Sequence, residues 1–377
     1  MNIYADNAAT APMRETAKVA LLECLEDFGN PSSVHTAGKI AAAKLEKARK
    51  TVAELLNCHP SEIYFTSGGT EADNWALHSA ASPGSNIITS AFEHHAILHT
   101  LEAMEQRGQL LRGVIVPPER DGIMDPEKVC REITATTSMV TIMAANNEIG
   151  TIQPVEEIAR KIRKAGGRNI IMHTDAVQAV GHIPVDVEKL GVDMLSISAH
   201  KFGGPRGIGI LYCRTGIKLD PLMFGGGQER GRRPGTENVA AAVAMAAAMR
   251  ESCEEMGEAA RKVKAVRDFL ITQIREIPGN HIHGNLENRL PGNINCSFDG
   301  VEGETAVLML DVLGVCVSAG SACTSGSGEA SHVLTAIGVP PKDAYGAIRI
   351  TLGEKNTKAE AEYIAKSISK TVRELRG

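Results

Sequence analysis

Phe65-Thr66-Ser67-Gly68-Gly69-Thr70-Glu71 reads as a strand that runs into Gly-Gly-Thr and then into a helix. Glycines let a backbone approach an anion closely. A helix N-terminus and a Thr hydroxyl add donors for it. An N-cap with Gly in its turn would look the same, so this stretch alone does not require a phosphate. Its surroundings decide the fold. Short apolar runs at 62–66, 86–89, 113–116, 140–144, 170–172, 194–197 and 208–212 alternate with amphipathic stretches. The helical stretches between them include 71–80, 95–106 and 154–164. Such alternation predicts an α/β chain, with a mostly parallel sheet, helices on both faces and right-handed crossovers.

Outward from that block, a helical pattern covers 37–56, and the chain opens on the loop Asp6-Asn7-Ala8-Ala9-Thr10. On the other side a long helical stretch runs over 237–277, with Gly257 as the place for a kink. After Pro278-Gly279 the pattern changes. A strand at 293–298, a helix at 302–313, a Gly/Ser-rich loop, a strand at 347–352 and a helix at 357–375 predict a smaller α+β domain. A chain of 377 residues is too long for one compact core. The expected division is 1–256 for a large domain and 257–377 for a small one. The N-terminal segment is free to pack on either.

Composition is that of an ordinary globular chain, 43% hydrophobic and 23% charged. A net charge of -5 gives the chain no general attraction for nucleic acid or an anionic membrane. With 3% aromatic residues, the core must be built from Ala, Val, Ile, Leu and Met. The opening residues show no basic region followed by an apolar one, so no signal peptide is expected. The most apolar long segment, 239–249, falls well short of the roughly 20 residues a membrane span needs. Eight cysteines are spread along the chain without a CxxC pair, which predicts reduced thiols and a soluble, cytoplasmic protein. No Cys, His and carboxylate cluster has the spacing of a structural zinc site, and no metal is expected.

Three more loops sit where strands should end, which is where ligands gather in open α/β sheets. His173-Thr174-Asp175-Ala176-Val177-Gln178 puts an acid at a strand end, able to hold a ring nitrogen protonated; capping the next helix is the plainer reading. Ser196-Ile197-Ser198-Ala199-His200-Lys201-Phe202-Gly203-Gly204-Pro205 places a lysine between an apolar run and a tight Gly turn, where it could form a Schiff base. Asn146-Asn147-Glu148-Ile149-Gly150 offers amides to a phenolic oxygen or a substrate. Each signal is weak singly. Together they are what a pyridoxal-phosphate enzyme requires.

These motifs resemble the class V aminotransferase superfamily, and within it the NifS/IscS-type cysteine desulfurases. The resemblance covers essentially the whole chain. It includes Asp6–Thr10, Gly29-Asn30-Pro31-Ser32-Ser33-Val34-His35, Thr66–Glu71, Glu93-His94, Asn146–Gly150 and Asp175–Gln178. It continues through Ser198–Lys201, Gly225–Arg230, Gly235-Thr236-Glu237-Asn238 and Ser321-Ala322-Cys323-Thr324-Ser325-Gly326. It implies the pyridoxal-phosphate-transferase fold type I and a role for each matching residue. Lys201 would hold the cofactor covalently. Gly69, Thr70, Ser198 and His200 would hold its phosphate. Asp175 would pair with the pyridinium nitrogen, and Gln178 and Asn147 would contact the ring hydroxyl. His94 would stack on the ring and help move protons. Thr236 would reach the phosphate of a neighbouring subunit, which implies a homodimer. Arg349 would bind the substrate carboxylate, with Asn30 a weaker candidate for the same group. Gly69, Ala11 and His95 depart from the commoner family residues without removing a reacting group.

Cys323 lies among Gly and Ser, which supply neither bulk for a core nor stiffness, so a mobile loop is expected. A buried small hydrophobe is the usual reading of a lone cysteine. It suits Cys24, Cys130, Cys213 and Cys296 better than Cys323. The resemblance makes Cys323 the thiolate that takes sulfur from L-cysteine as a persulfide, leaving L-alanine, and places the chain in the long-loop group. Sulfur would then pass to an iron–sulfur scaffold or a sulfur-carrier protein, with Cys323 as a potential shared cluster ligand. The alternatives are a selenocysteine lyase or another class V aminotransferase on the same cofactor. The latter has no need of Cys323.

Overall fold

The computed structural model describes residues 2–167, 169–319 and 330–377. Cys323 lies outside the described residues. The central sheet has seven strands in the order Ile63–Thr66, Gly209–Cys213, Met194–Ser198, Ile171–Asp175, Thr137–Thr141, Asn86–Ser90, Arg112–Val116. All neighbours from Met194–Ser198 to Arg112–Val116 run parallel, and only Gly209–Cys213 runs against the rest. One apolar cluster packs on each side of this sheet. One contains Val52, Ile88, Val140, Ile197 and Met245, and the other contains Trp75, Ile87, Ile97 and Leu211. Ile87 and Ile88 divide between the two clusters because successive strand side chains point to opposite faces.

The apolar run at 140–144 predicted a strand there, but the strand is Thr137–Thr141. Ile142 to Ala145 are all buried, and Ile142 N and Ala144 N still donate to His173 O and Asp175 O at 3.2 and 2.8 Å. Burial of an irregular continuation produced the pattern. The long helix, Val239–Arg275, passes through Gly257 unbroken. Gly257 has open space around its Cα, so nothing packs there to bend the helix. Helix Glu15–Leu25, which the apolar pattern missed, buries only Ala17 and Cys24.

A second sheet has the order Ser318–Ala319, Ile348–Thr351, Asn293–Phe298, Asn280–Ile282. Its cluster holds Ile294, Ile350, Leu310 and Ile364, together with Ile3 and Ala5 from the N-terminus. Ile3–Tyr4 pairs in parallel with Val315–Cys316. Asp6 bridges Thr351, and the next residues cross to the first sheet, where Ala11 N donates to His200 O at 2.9 Å. The N-terminal segment therefore joins both cores. No helix among the described residues is long and apolar enough to cross a membrane.

Candidate active site

Strands Ile171–Asp175 and Met194–Ser198 run parallel and adjacent, so their carboxyl ends lie side by side. Asp175 closes one, and Ala199-His200-Lys201 forms a single 3₁₀ turn after the other. Lys201 Nζ donates to Ala8 O and Ala9 O, each at 2.8 Å. Gln178 Nε2 donates to the same Ala8 O at 3.0 Å. The loop after Asp6 is thus a carbonyl wall that aims the lysine amine.

Asp175 is 6% exposed and accepts the Val177 N–H at 2.8 Å. Burial pushes its pKa up to about 6, opposed by that N–H and by the charge of Lys201. A cationic ring nitrogen beside it would add a partner for its ionised form.

Helix Gly69–Ala80 starts at the same end of the sheet. Gly69 and Thr70 open it, so their N–H groups have no partner within the helix. A Cβ on Gly69 would lie 2.7 Å from Val177 Cγ2 and 3.6 Å from Ser198 Cβ, so glycine brings these three segments together. A Cβ on Gly209 would lie 2.7 Å from Gly68 Cα. Thr70 is exposed and Ser198 is buried beside this cup. His200 Nδ1 meets Thr10 Oγ1 at 3.1 Å. Its pKa falls to about 4 through burial first, then the charges of Lys201 and Arg206. His200 is therefore neutral and ties the N-terminal loop to the cup.

His94 caps helix His95–Gln106 by accepting Ala96 N–H at its Nδ1, 3.1 Å away, which leaves Nε2 as the protonated nitrogen of the neutral ring. Burial, then Lys201 and His99, lower its pKa, so it stays neutral beside the lysine. Arg349 is 2% exposed; its Nη2 donates to Asp6 Oδ1 at 2.9 Å and its Nη1 to Asn147 O at 3.3 Å. Its Nε is buried without a hydrogen-bond partner among the described residues. Asn147 is half-buried beside it.

Two expected residues stand apart from this group. Asn30 is exposed and spends its Oδ1 on Ser32 N in its own turn. Thr236 is exposed, on the segment that follows the Arg49–Glu229 ion pair and leads into the long helix.

Sequence reasoning passed over the groups beneath Asp175. His173, on the same strand and face, contacts Thr141 Oγ1 at 2.7 Å and Ser196 Oγ at 3.0 Å. Burial drives its pKa down to about 3, so it is neutral. Asp73 lies 3.8 Å from His173 Nε2 and is 1% exposed. Burial first, then the charge of Asp175, raises its pKa well above the carboxylate range, so Asp73 holds a proton. Glu93 is likewise pushed to about 8 by burial, although Ser90 Oγ and Met143 N donate to it. The sequence signal was the Glu-His and Glu-Ala-Asp context next to site residues, which periodicity alone cannot separate from surface acids.

An amine, an anion cup at a helix start, a buried acid at a strand end and an arginine together fit pyridoxal phosphate bound through its aldehyde, phosphate and pyridine nitrogen. Among the described residues no group of His, Cys, Asp or Glu could hold a metal ion.

A family model described as aminotransferase class-V matches residues 3–364. The chain is similar to a cysteine desulfurase IscS of Methanosarcina thermophila, with 44% identity over 99% of this chain and 93% of that one. It is 44% identical to the cysteine desulfurase IscS of Dictyoglomus turgidum, over 99% and 95% of the two chains. A solved NifS-like protein superposes with a TM-score of 0.92 at 40% identity, covering 99% of this chain and all of the other.

Proposed function

Because the chain belongs to the class-V aminotransferase family, we propose that it is a pyridoxal-phosphate-dependent cysteine desulfurase that converts L-cysteine to L-alanine and a persulfide on Cys323. The observation that carries the chemistry is the convergence of Lys201, Asp175 and the Gly69-Thr70 cup at one end of the sheet. Bound there, pyridoxal phosphate supplies an electrophilic carbon for the substrate amine and a ring that draws electrons from the substrate α-carbon.

The protein supplies the rest. The N–H groups of Gly69 and Thr70, the Thr70 hydroxyl and Ser198 hold the phosphate, with His200 at its edge. Asp175 stabilises a proton on the ring nitrogen. Gln178 and Asn147 would face the ring hydroxyl, and His94, with its proton on Nε2, would cover the ring. Arg349, with Asn30 as a second candidate, takes the substrate carboxylate. Lys201 Nζ would hold the cofactor and would take the substrate α-proton. The Cys323 thiolate then attacks the substrate sulfur. An S–S bond forms, the Cβ–S bond breaks, the electron pair left on carbon collects a proton at Cβ, and the α-proton returns to Cα to give alanine.

The reading extends to the assembly. A homodimer places the exposed Thr236 of one subunit at the phosphate of the other. The persulfide passes to an iron–sulfur scaffold or a sulfur-carrier protein, in a cytoplasm that keeps the thiols reduced. The seven described cysteines are all free. Division at residue 257 separates the cofactor-binding part from the part that carries Cys323.

Mass spectrometry of Cys323 after brief exposure to L-cysteine tests the proposal. One added sulfur on wild-type protein is the expected result, and none on Lys201→Ala. Full sulfide release from Cys323→Ala would sink the persulfide step.

A further inference from the structure

Glu148 has no part in the chemistry above, yet it sits inside the site. It is 3% exposed. Its Oε2 accepts Ser331 Oγ at 2.5 Å. Ser331 also caps helix His332–Ala336 by accepting Leu334 N–H at 3.2 Å. The Glu148 carbonyl accepts Asn295 Nδ2 at 3.4 Å, and Asn295 pairs in register with Arg349. The preceding residue, Asn147, gives its carbonyl to Arg349 Nη1. Glu148 is therefore fixed between the substrate arginine and the segment that begins at residue 330. A buried carboxyl on the residue next to Asn147, whose carbonyl holds a guanidinium already paired with Asp6, changes what that guanidinium offers a third anion.

We infer that Glu148 is a positioning residue for substrate recognition: neutral, it lets Arg349 hold the amino-acid carboxylate; ionised, it weakens that grip. The inference rests on the proposed reading of the site. Among the described residues few groups act on Glu148. Strand Ile348–Thr351 presents Arg349, strand Asn293–Phe298 presents the neutral Asn295, and the capped helix presents Ser331. Next along, His332 turns its Nε2–H to the Glu93 carbonyl at 2.9 Å. Burial raises the Glu148 pKa to about 7, against the hydrogen bond from Ser331 and the charge of Arg349, so its ionisation falls in the working range.

The test uses holoenzyme and L-alanine, which carries the substrate carboxylate and amine without a thiol. Its dissociation constant is read from the absorbance of the bound cofactor between pH 6 and 8 in wild type, Glu148→Gln and Ser331→Ala. Titration of the ligand amine is common to all three and cancels in ratios. Wild type should lose affinity relative to Glu148→Gln by about threefold or more as pH rises. In Ser331→Ala the carboxylate loses a donor, so the same loss should move to higher pH. A merely structural Glu148 would shift neither. A wild-type to Glu148→Gln ratio that stays flat from pH 6 to 8 overturns the inference. So does a Ser331→Ala profile that superposes on wild type, which is decisive even if Glu148→Gln fails to fold. Wild-type absorbance that ignores L-alanine would instead overturn the function on which the inference stands.

Discussion

Lys201 Nζ donates to the Ala8 carbonyl at 2.8 Å across 193 residues of chain. The amine proposed to carry the cofactor is thus aimed by the N-terminal loop rather than by its own strand. Gln178 holds the other side of the same carbonyl. The loop is itself anchored, because Ala8 N donates to Thr351 Oγ1 at 2.9 Å and Asn7 Nδ2 to Thr351 O at 2.8 Å. Both cores consequently share in placing one nitrogen.

Lys201→Ala should lose sulfide release by about a thousandfold, since it removes both the covalent attachment and the base. The cofactor should also wash out on desalting, whereas wild type keeps its yellow absorbance. Retention of the chromophore after desalting would show that another group carries the aldehyde.

Glu93→Gln should flatten the dependence of apo-protein stability on pH. Burial raises the folded pKa of Glu93 to about 8, above the unfolded carboxylate value near 4.3. A raised group contributes stability that is complete below the unfolded pKa and lost as pH climbs through the folded one. Wild type should therefore lose on the order of 4 kcal/mol at this residue between pH 5 and 8. Glutamine mimics the protonated acid: its carbonyl can accept from Ser90 and Met143 as Oε1 does now. Urea unfolding at both pH values measures the difference, and equal slopes for the two proteins would contradict it.

The alternating runs made the parallel sheet legible, and Asn293–Phe298 and His95–Gln106 fall where periodicity puts them. The reversed strand Gly209–Cys213 was not legible. It is buried at every position, so its sequence reads the same in either direction. Lys201 and Asp175, picked out in the sequence at strand ends, do lie side by side at the ends of adjacent strands in the candidate site. Asp73 was not legible, because a helical Asp two residues after Glu71 looks solvated until the sheet beneath it is known. Glu148 was visible only as part of an amide-rich loop. Its meaning depends on Ser331, 183 residues away.

Arg49→Met should destabilise the fold by roughly 3 kcal/mol, because it leaves a buried carboxylate uncompensated. Arg49 Nη2 meets Glu229 Oε1 at 2.6 Å, and both side chains are almost wholly buried. Glu229 also takes the Phe65 N–H at 3.1 Å, on the strand that leads to the phosphate cup. Glu229 and Arg230 are held at φ of 45° and 59°, which costs energy without glycine, so the ion pair also holds a strained turn. A loss below about 1 kcal/mol in denaturant unfolding would mean that the turn stands without it.

Arg349→Lys should raise KM for L-cysteine by roughly tenfold or more while leaving cofactor absorbance intact. Arg349 Nη2 is committed to Asp6 and Nη1 reaches Asn147 O, so the fork is already fixed in the plane a carboxylate would meet. A lysine ammonium can keep the charge and one of these contacts, but not both with a third partner in the same plane. The buried Nε, without a partner among the described residues, marks where the guanidinium still has donor capacity to give. Because Arg349 meets Asn147 through the backbone carbonyl and not the side chain, kcat at saturating L-cysteine should fall far less than kcat/KM. An equal fall in both would place Arg349 in the chemical step rather than in recognition of the carboxylate.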